Sequence, residues 1–139
     1  MALHLLKLAV GVDDLADMRK LQKERRRERG RSVFYTRHMP RRREEILDGG
    51  SIYWVIKGHI RVRQRILGFI PVVEDDGERY CLVRYDPKLV ETVWQPKRPF
   101  QGWRYLLPKD APADRPARSA TEDKLPEAMT EELRALGLL

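Results

Sequence analysis

Residues 48–65 combine hydrophobic, aromatic and cationic side chains in alternation, and this pattern is the most informative one in the chain. Successive side chains of a β-strand point to opposite faces, so the alternation predicts a β-hairpin that turns at Gly58 and His59. One face of that hairpin would hold five residues able to contact an anion or a base: Tyr53, Lys57, Arg61, Arg63 and Arg65. Guanidinium groups at a fixed spacing suit an anion that repeats along a chain better than a small isolated one.

Residues 19–43 form a second candidate, because they hold twelve Lys and Arg residues against two Glu residues. This local excess is larger than the formal net charge of +7 of the whole chain, so the remaining residues are acidic overall. A basic block predicts a polyanion or an anionic surface as the partner, and arginine favours bidentate contact with phosphate. The alternative is a solvated helix end whose charge the neighbouring glutamates reduce. The arginines assigned to binding are Arg25, Arg26, Arg27, Arg41 and Arg42.

The segment RPFQGWR, residues 98–104, places cations beside aromatic rings a third time. Proteins that bind single-stranded nucleic acid combine aromatic stacking platforms with a positively charged groove. Arg98, Trp103 and Arg104 are therefore predicted to join the hairpin cations in one concave surface. Trp54 is also aromatic, but its position in the apolar row of the first hairpin strand favours a role in the core.

The sequence offers little for catalysis or for a metal. The three His residues are scattered and no Cys/His or HExxH spacing occurs, so neither a metal nor another cofactor is predicted. Glu44, Glu45 and Asp48 could hold Mg²⁺ or act as acid and base, yet the adjacent arginines explain them more simply as ion-pair partners in a helix. An enzyme would need Glu45 or Asp48 to converge with His38 in a cavity.

Cysteine content and the N-terminal residues predict the compartment. The single cysteine, Cys81, excludes an internal disulfide and favours a reducing compartment. Its place in the apolar run YCLV predicts a buried thiol. The N-terminal run MALHLLKLAV is too short and too polar for a membrane span and lacks the cleavage site of a signal peptide. We therefore expect a cytoplasmic protein that does not insert into a membrane.

Six or seven strands and two helices are needed to position these residues. The first helix is capped by Asp13 or Asp14 and ends at Gly30, and the second begins at Pro40. The second hairpin strand is expected to continue to Val73 with a bulge or an exposed edge. The other predicted strands are residues 3–10, 32–38, 79–85, 89–94 and 100–107.

These elements predict one compact α+β domain over residues 1–107. Residues 108–124 are rich in Pro, Ala and charge with almost no large apolar residue, which is typical of a linker or a flexible tail. Residues 125–139 place Met129, Leu133 and Leu136 on one side of a short C-terminal helix.

Three segments resemble known families: LHLLKLAVG, RHMPRRREEILDGGSIYWVIKGHIRVRQRIL and RPFQGWRYLLPKDAP. Over residues 2–115 the chain closely resembles a bacterial family known only as a domain of unknown function, number fourteen eighty-nine, and this name implies no activity. The helix, glycine turn and strand pair in EEILDGGSIYWVIKGHIRVRQRI also resemble PUA-like domains, including the ASCH and EVE groups. That resemblance implies a small, mixed, partly closed β-barrel with two helices and, by analogy, contact with RNA or modified bases.

The function that fits these features best is a non-catalytic module that binds RNA or single-stranded nucleic acid. Its predicted binding residues are the arginines and Trp103 named above, together with Lys57. Two alternatives stay open: an enzyme that acts on a nucleotide or nucleic acid in the barrel cleft, and a protein-interaction module whose basic arm meets an acidic partner.

Overall fold

A computed structural model describes residues 2–116, and this part of the chain forms seven strands and two α-helices. In chain order the elements are β1 (His4–Leu8), α1 (Leu15–Arg29), β2 (Val33–Thr36), α2 (Arg43–Leu47), β3 (Ser51–Ile56), β4 (His59–Val73), β5 (Arg79–Tyr85), β6 (Val90–Pro96) and β7 (Trp103–Leu106). A single turn of 3-10 helix follows at Pro108–Asp110. The predicted α+β class and element content are confirmed.

All seven strands belong to one sheet, in the order β2-β5-β4-β3-β1-β7 with β6 added to β4. β1 and β3 run parallel, and the other neighbouring strands are antiparallel. β2 and β7 lie at the two ends of this order and do not pair with each other, so the sheet formed by residues 2–116 is open. The partly closed barrel expected from the PUA-like resemblance is therefore not confirmed.

β3 lies at the centre of the sheet, and all six of its residues are buried. Ile52, Trp54 and Ile56 pack in the main core, which residues of α1 complete. Tyr53 and Val55 pack in a smaller core on the opposite face. A strand that is covered on both faces needs apolar residues at both alternating positions, and the sequence SIYWVI supplies them. The predicted alternation of this strand between two faces is confirmed, but the face of Tyr53, which was expected to contact an anion or a base, is buried in the smaller core.

The hairpin turn consists of Lys57 and Gly58, whose φ angles of 48° and 81° are both positive. Two successive positive φ angles define a type I′ turn, whose twist matches that of the flanking strands. Glycine adopts this region without steric cost. Among residues 2–116, Lys57 is the one residue other than glycine that has a positive φ angle.

The strict alternation expected in β4 is interrupted at Arg61. Val62 pairs with Trp54 and Ile60 pairs with Val55, so the strand has one residue more than its partner at this point. Such a bulge redirects the side chains on either side of it. Ile60 consequently lies in the smaller core, whereas Val62 lies in the main core. The alternation expected for residues 48–65 would place Ile60 and Val62 on one face, and it is wrong here because the extra residue reverses the register between them.

Helix α1 begins and ends as its sequence predicts. The Asp14 carboxylate caps the N-terminus by accepting a hydrogen bond of 2.8 Å from the backbone N–H of Asp17. Gly30 ends the helix in the left-handed conformation, with a φ of 74°. Leu15, Met18 and Gln22 form the buried side of the helix. One and two turns beyond Gln22, Arg25 and Arg29 remain half-buried against the sheet, so this part of the helix is not a fully solvated end.

The chain remains attached to the sheet beyond Leu107, where the compact part was predicted to end. The backbone N–H of Val93 donates to the carbonyl of Ala113, and that of Arg115 donates to the carbonyl of Glu91, each at 2.9 Å. We call residues 111–116 the C-terminal strap. Backbone hydrogen bonds and ion pairs, rather than large apolar side chains, hold the strap to the sheet. Its composition therefore resembles that of a linker. The predicted helix at 125–139 lies outside the described residues.

Gly50 joins α2 to β3 at a point where no larger residue fits. A Cβ atom built on Gly50 would lie 2.2 Å from the carbonyl oxygen of Leu3 and 2.4 Å from that of Ile46. The Gly50 N–H also donates to the Ile46 carbonyl at 2.6 Å. The glycine therefore allows β1, α2 and β3 to approach one another closely.

We predict that Gly50→Ala lowers the free energy of unfolding by about 1–3 kcal/mol or more, because both crowded atoms belong to the backbone and cannot rotate away. Urea denaturation followed by tryptophan fluorescence measures this. Gly68→Ala is the matched control, since a Cβ at Gly68 meets nothing within 4 Å and its φ is not positive. Equal stability of the two variants would contradict the close approach.

Candidate nucleic-acid interface

A cavity of about 190 Å³ lies between α1 and the main-core face of the sheet. Its inner wall is aromatic and apolar, and its rim is cationic. Five elements or the loops beside them contribute to it, namely β1, α1, β2, β3 and β5. The residues on which the argument depends are Lys7, Gln22, Arg25, Arg29, Phe34, Tyr35, Trp54 and Tyr85. We call this the helix cavity.

The cationic rim consists of Lys7, Arg25 and Arg29. Lys7 follows Leu3 and Leu5 on the main-core side of the sheet, so its side chain is half-buried. Burial and the nearby charge of Arg25 both lower the pKa of Lys7. Among residues 2–116, no carboxylate lies within 4.0 Å of any of these three cations. The rim therefore gathers positive charge without neutralising it, an arrangement that favours a bound anion.

The position of α1 against the sheet depends on a buried pair of amides. Gln22 and Gln64 exchange two hydrogen bonds of 2.8 Å each. The Gln64 oxygen also accepts from the indole N–H of Trp54 at 2.9 Å, and its amino group also donates to the carbonyl of Pro87 at 3.3 Å. An amide has two donors and two acceptor positions, so the capacity of Gln64 is filled.

Gln22 differs from its partner because it lines the helix cavity with part of its capacity unused. Within residues 2–116, one of its donors and one of its acceptor positions are engaged, both by Gln64. Trp54 can only donate and the Pro87 carbonyl can only accept, so they fix which end of the Gln64 amide is oxygen. The orientation of Gln22 follows from that of Gln64. Gln22 thus has a fixed amide, of which one donor and one acceptor position are not engaged within residues 2–116.

The aromatic wall is rigid. The Phe34 and Trp54 rings meet edge to face with centroids 5.5 Å apart, and the Phe34 and Tyr85 centroids are 6.0 Å apart. Burial raises the pKa of the Tyr85 hydroxyl, while the charges of three arginines of α1 act in the opposite direction. Phe34, Trp54 and Tyr85 are all at most 5% exposed. The wall is therefore part of the folded core and is formed before any ligand arrives.

Tyr35 lies at the mouth of the cavity and differs from the wall in being 51% exposed. The Arg29 guanidinium lies over its ring at 5.1 Å from the centroid. Arg29 is itself fixed, because its Nη1 donates to the carbonyl of Val33 at 2.8 Å. The Tyr80 ring approaches Tyr35 at 80° with centroids 6.5 Å apart.

The opposite flank of α1 is cationic too. Arg19, Lys23 and Arg26 line a groove of about 300 Å³ together with Pro87 and Leu89. Arg27 is exposed and lines neither this groove nor the helix cavity. The three consecutive arginines that the sequence groups together are therefore separated: Arg25 lies on the cavity side, Arg26 on the groove side, and Arg27 faces solvent.

The hairpin arginines have three different surroundings. Arg61 is buried, with its guanidinium 4.1 Å from the centroid of the Trp94 ring. Arg63 binds Asp114 of the C-terminal strap through two hydrogen bonds, of 2.7 and 2.8 Å, and also donates to the Ser51 hydroxyl. Arg65 is exposed. The evenly spaced cationic row expected from the sequence is therefore not present. Arg61 lies at the bulge and packs on Trp94, and Arg63 is bound by Asp114 of the C-terminal strap.

Two of the remaining predicted cations, in the hairpin turn and just before α2, are also engaged by other side chains. Lys57 is exposed and forms an ion pair of 3.3 Å with Asp13. Arg41 is exposed. Arg42 pairs with Glu45, and its guanidinium lies 5.7 Å from the Tyr105 ring centroid. The hydrogen bond from Arg42 lowers the pKa of the Glu45 carboxyl.

Trp103 and its two basic neighbours lie on opposite faces of the sheet. Trp103 pairs with Lys7 in register, packs against the main core, and donates its indole N–H to the carbonyl of His38 at 3.0 Å. Arg98 and Arg104 line an open hollow of about 570 Å³ beside the smaller core. Arg104 lies over the Phe100 ring at 5.6 Å. The structure thus does not bring Trp103 together with Arg98 and Arg104 in one surface.

Lys7, Gln22 and Gln64, which sequence reasoning did not assign to a site, belong to the helix cavity or support it. Two of them had a visible signal. Lys7 occupies a core-facing position of an apolar strand, and Gln64 falls between Val62 and Ile66 in the apolar row of β4. A polar residue on a core face needs a partner. Polar residues at these two positions therefore indicate either a buried hydrogen-bond network or a bound ligand.

Observations relevant to catalysis and to metals are few. Within residues 2–116, no group of three His, Cys, Asp or Glu side chains is arranged to hold a metal ion. Glu45 binds Arg42 rather than converging with His38. No helix in the described part of the chain is long and apolar enough to cross a membrane.

Fold and site together define an α+β protein with an open seven-stranded sheet and a cationic, aromatic cavity under its first helix. The chain belongs to the family described as "Protein of unknown function (DUF1489)", whose model matches residues 5–139. Searches of curated proteins and of solved structures found no significant match.

Trp54 connects the cavity wall to the Gln22–Gln64 amide pair, so removing its side chain should lower the stability of the whole fold. We predict that Trp54→Ala lowers the free energy of unfolding by about 3–5 kcal/mol, because the ring is 5% exposed in the main core. Thermal and urea denaturation measure this. Val73→Ala is the control, since Val73 is 65% exposed. A Trp54→Ala protein as stable as the control would mean that the ring is not a core residue.

The Arg63–Asp114 pair should stabilise the attachment of the C-terminal strap. The two side chains are 26% and 49% exposed, so we expect a coupling free energy of about 1 kcal/mol or less in a double-mutant cycle with Arg63→Ala and Asp114→Ala. Hydrogen bonding to Arg63 lowers the pKa of Asp114. The coupling should therefore be present at neutral pH and disappear as the pH falls through that lowered value. Additive effects at pH 7 would show that the pair contributes nothing.

Proposed function

We propose that this protein binds single-stranded nucleic acid, and RNA in particular, without catalysing a reaction. An unpaired base enters the helix cavity, and the backbone phosphates lie against the cations of α1. One observation above all supports this: Lys7 and Arg25 lie close together, half-buried, at the rim of an aromatic cavity and without a carboxylate partner among residues 2–116. Like charges placed together lower stability unless an anion is bound between them.

The size and the lining of the helix cavity favour one ring system over a small inorganic anion. A dry cavity of about 150 Å³ holds a benzene ring, and the helix cavity measures about 190 Å³. Phe34, Trp54 and Tyr85 supply aromatic surface, and Gln22 supplies a fixed donor and acceptor for the edge of a base. A phosphate attached to that base would reach the cations at the rim.

The concave shape favours a single strand over a regular duplex. A base within a duplex is stacked and paired, and it must be extruded at a cost of a few kcal/mol before it can enter a cavity. An unpaired base needs no such step. The cations on both flanks of α1 would extend the contact along the backbone in a manner that does not depend on sequence.

Two further parts of the proposal concern fold family and location. The succession of α2, the Gly50 turn and the β3–β4 hairpin supports a distant relationship to PUA-like domains, although the sheet is open. A cytoplasmic location is supported by Cys81, which is a buried free thiol.

The experiment compares Arg25→Ala with Arg27→Ala, because the two variants remove the same charge from neighbouring positions. Arg25 lines the cavity and Arg27 does not. Fluorescence anisotropy with a labelled single-stranded RNA of mixed sequence should show about tenfold weaker binding for Arg25→Ala, since a charged hydrogen bond contributes about 1.5–3 kcal/mol. For Arg25→Ala, the slope of log K against log salt concentration should also become shallower, by about 0.7 for each phosphate that the protein no longer neutralises.

Arg27→Ala should weaken binding much less, through the long-range field alone. The same RNA annealed into a duplex should bind the parent protein more weakly than the single strand does. Equally weakened binding in the two variants would place the RNA outside the cavity. Failure of the parent protein to bind any single strand at low salt would refute the proposed function and favour an acidic protein partner.

A further inference from the structure

We infer that the site holds two successive nucleotides: one base inside the helix cavity, and the neighbouring base stacked on Tyr35 at its mouth. This inference rests on the proposed function and specifies its ligand class as a dinucleotide unit within a single strand. It would explain why one tyrosine of β2 remains exposed while the residues before it, Val33 and Phe34, are buried.

Tyr35 has the properties of a stacking platform. Its ring is 51% exposed, yet it is held by Arg29 on one side and by the perpendicular ring of Tyr80 on another. A side chain that is already fixed loses little conformational freedom when a ligand binds. Within residues 2–116 the ring keeps half of its surface exposed in spite of these two contacts, which leaves room for a stacked base.

Arg29 lies where the link between two nucleotides would pass. It lines the helix cavity and also covers the Tyr35 ring, so its guanidinium is shared by both proposed base positions. Its Nη1 is used by the Val33 carbonyl, and a guanidinium has five N–H donors in total. Because the guanidinium is planar, this one bond restricts the directions in which its other N–H groups can point. A phosphodiester that joins a base in the cavity to a base on Tyr35 would lie beside this cation.

The alternative is that Tyr35 forms part of a protein-binding surface or simply closes the cavity. The ligand length distinguishes these possibilities. A mononucleotide can occupy only one of the two positions at a time, whereas a dinucleotide can occupy the cavity and the platform together. The decisive quantity is therefore the ratio of the dinucleotide affinity to the mononucleotide affinity, measured for the same protein.

Isothermal titration calorimetry would compare the four ribonucleoside 5′-monophosphates with the four corresponding 5′-phosphorylated homodinucleotides. In the parent protein we expect the best dinucleotide to bind about 5- to 150-fold more tightly than its mononucleotide, the range that one stacked base contributes. Tyr35→Ala should reduce that ratio to near one. Tyr35→Phe should retain it, because the ring and not the hydroxyl forms the platform. Val73→Ala, an exposed change elsewhere on the sheet, should alter neither affinity.

Each outcome bears on a different claim. A ratio that Tyr35→Ala leaves unchanged would overturn the platform while leaving the cavity proposal intact. Equally weakened binding of both ligand lengths would show that Tyr35 is only a wall of the cavity. A parent protein that binds neither ligand, nor a longer single strand, would overturn the inference together with the proposed function.

Discussion

The interaction on which the rest of this structure depends is the buried amide of Gln64. Its side chain is completely inaccessible to solvent, and a buried polar group without a partner costs about 1–3 kcal/mol. Three parts of the chain satisfy it: Trp54 in β3, Gln22 in α1, and the Pro87 carbonyl after β5. Because these partners must all be in place at once, the helix has one angle and one register against the sheet. That register brings Arg25, three residues after Gln22, to the rim of the cavity.

Several residues around the helix cavity occupy positions that their side chains do not normally favour. Lys7 occupies a core-facing position, a cationic helix packs one flank against the sheet, and an aromatic ring remains exposed beside them. Each feature lowers stability slightly when considered alone. Departures of this kind are expected at functional sites, where folding and binding make different demands on the same residues. Their occurrence at one place in the fold is a stronger indication of function than the basic composition itself.

Local signals in the sequence predicted local structure well. Asp14 and Gly30 delimit α1, and β5 has the predicted bounds, since each depends on residues adjacent in the chain. The hairpin turn contains Gly58 as predicted, but its other residue is Lys57 rather than His59. The bulge at Arg61 was not predicted, because it is set by the register against two neighbouring strands. The open sheet and the helix cavity depend on the parallel pairing of β1 with β3, which alternation alone does not indicate. The predicted site therefore included Arg25 but missed Lys7, and it assigned to ligand binding three arginines that other side chains engage: Arg42, Arg61 and Arg63.

The place of β1 in the sheet has a consequence for how the protein is made. β1 lies between β3, which begins almost fifty residues later, and β7, which ends at Leu106. On a ribosome that adds about 5–20 residues per second, the first strand emerges several seconds before its second neighbour. Pairings between distant residues also form slowly. During that interval the apolar side chains of β1 have no complete sheet to join, so this strand stays without its native partners for longer than a strand in a local hairpin does.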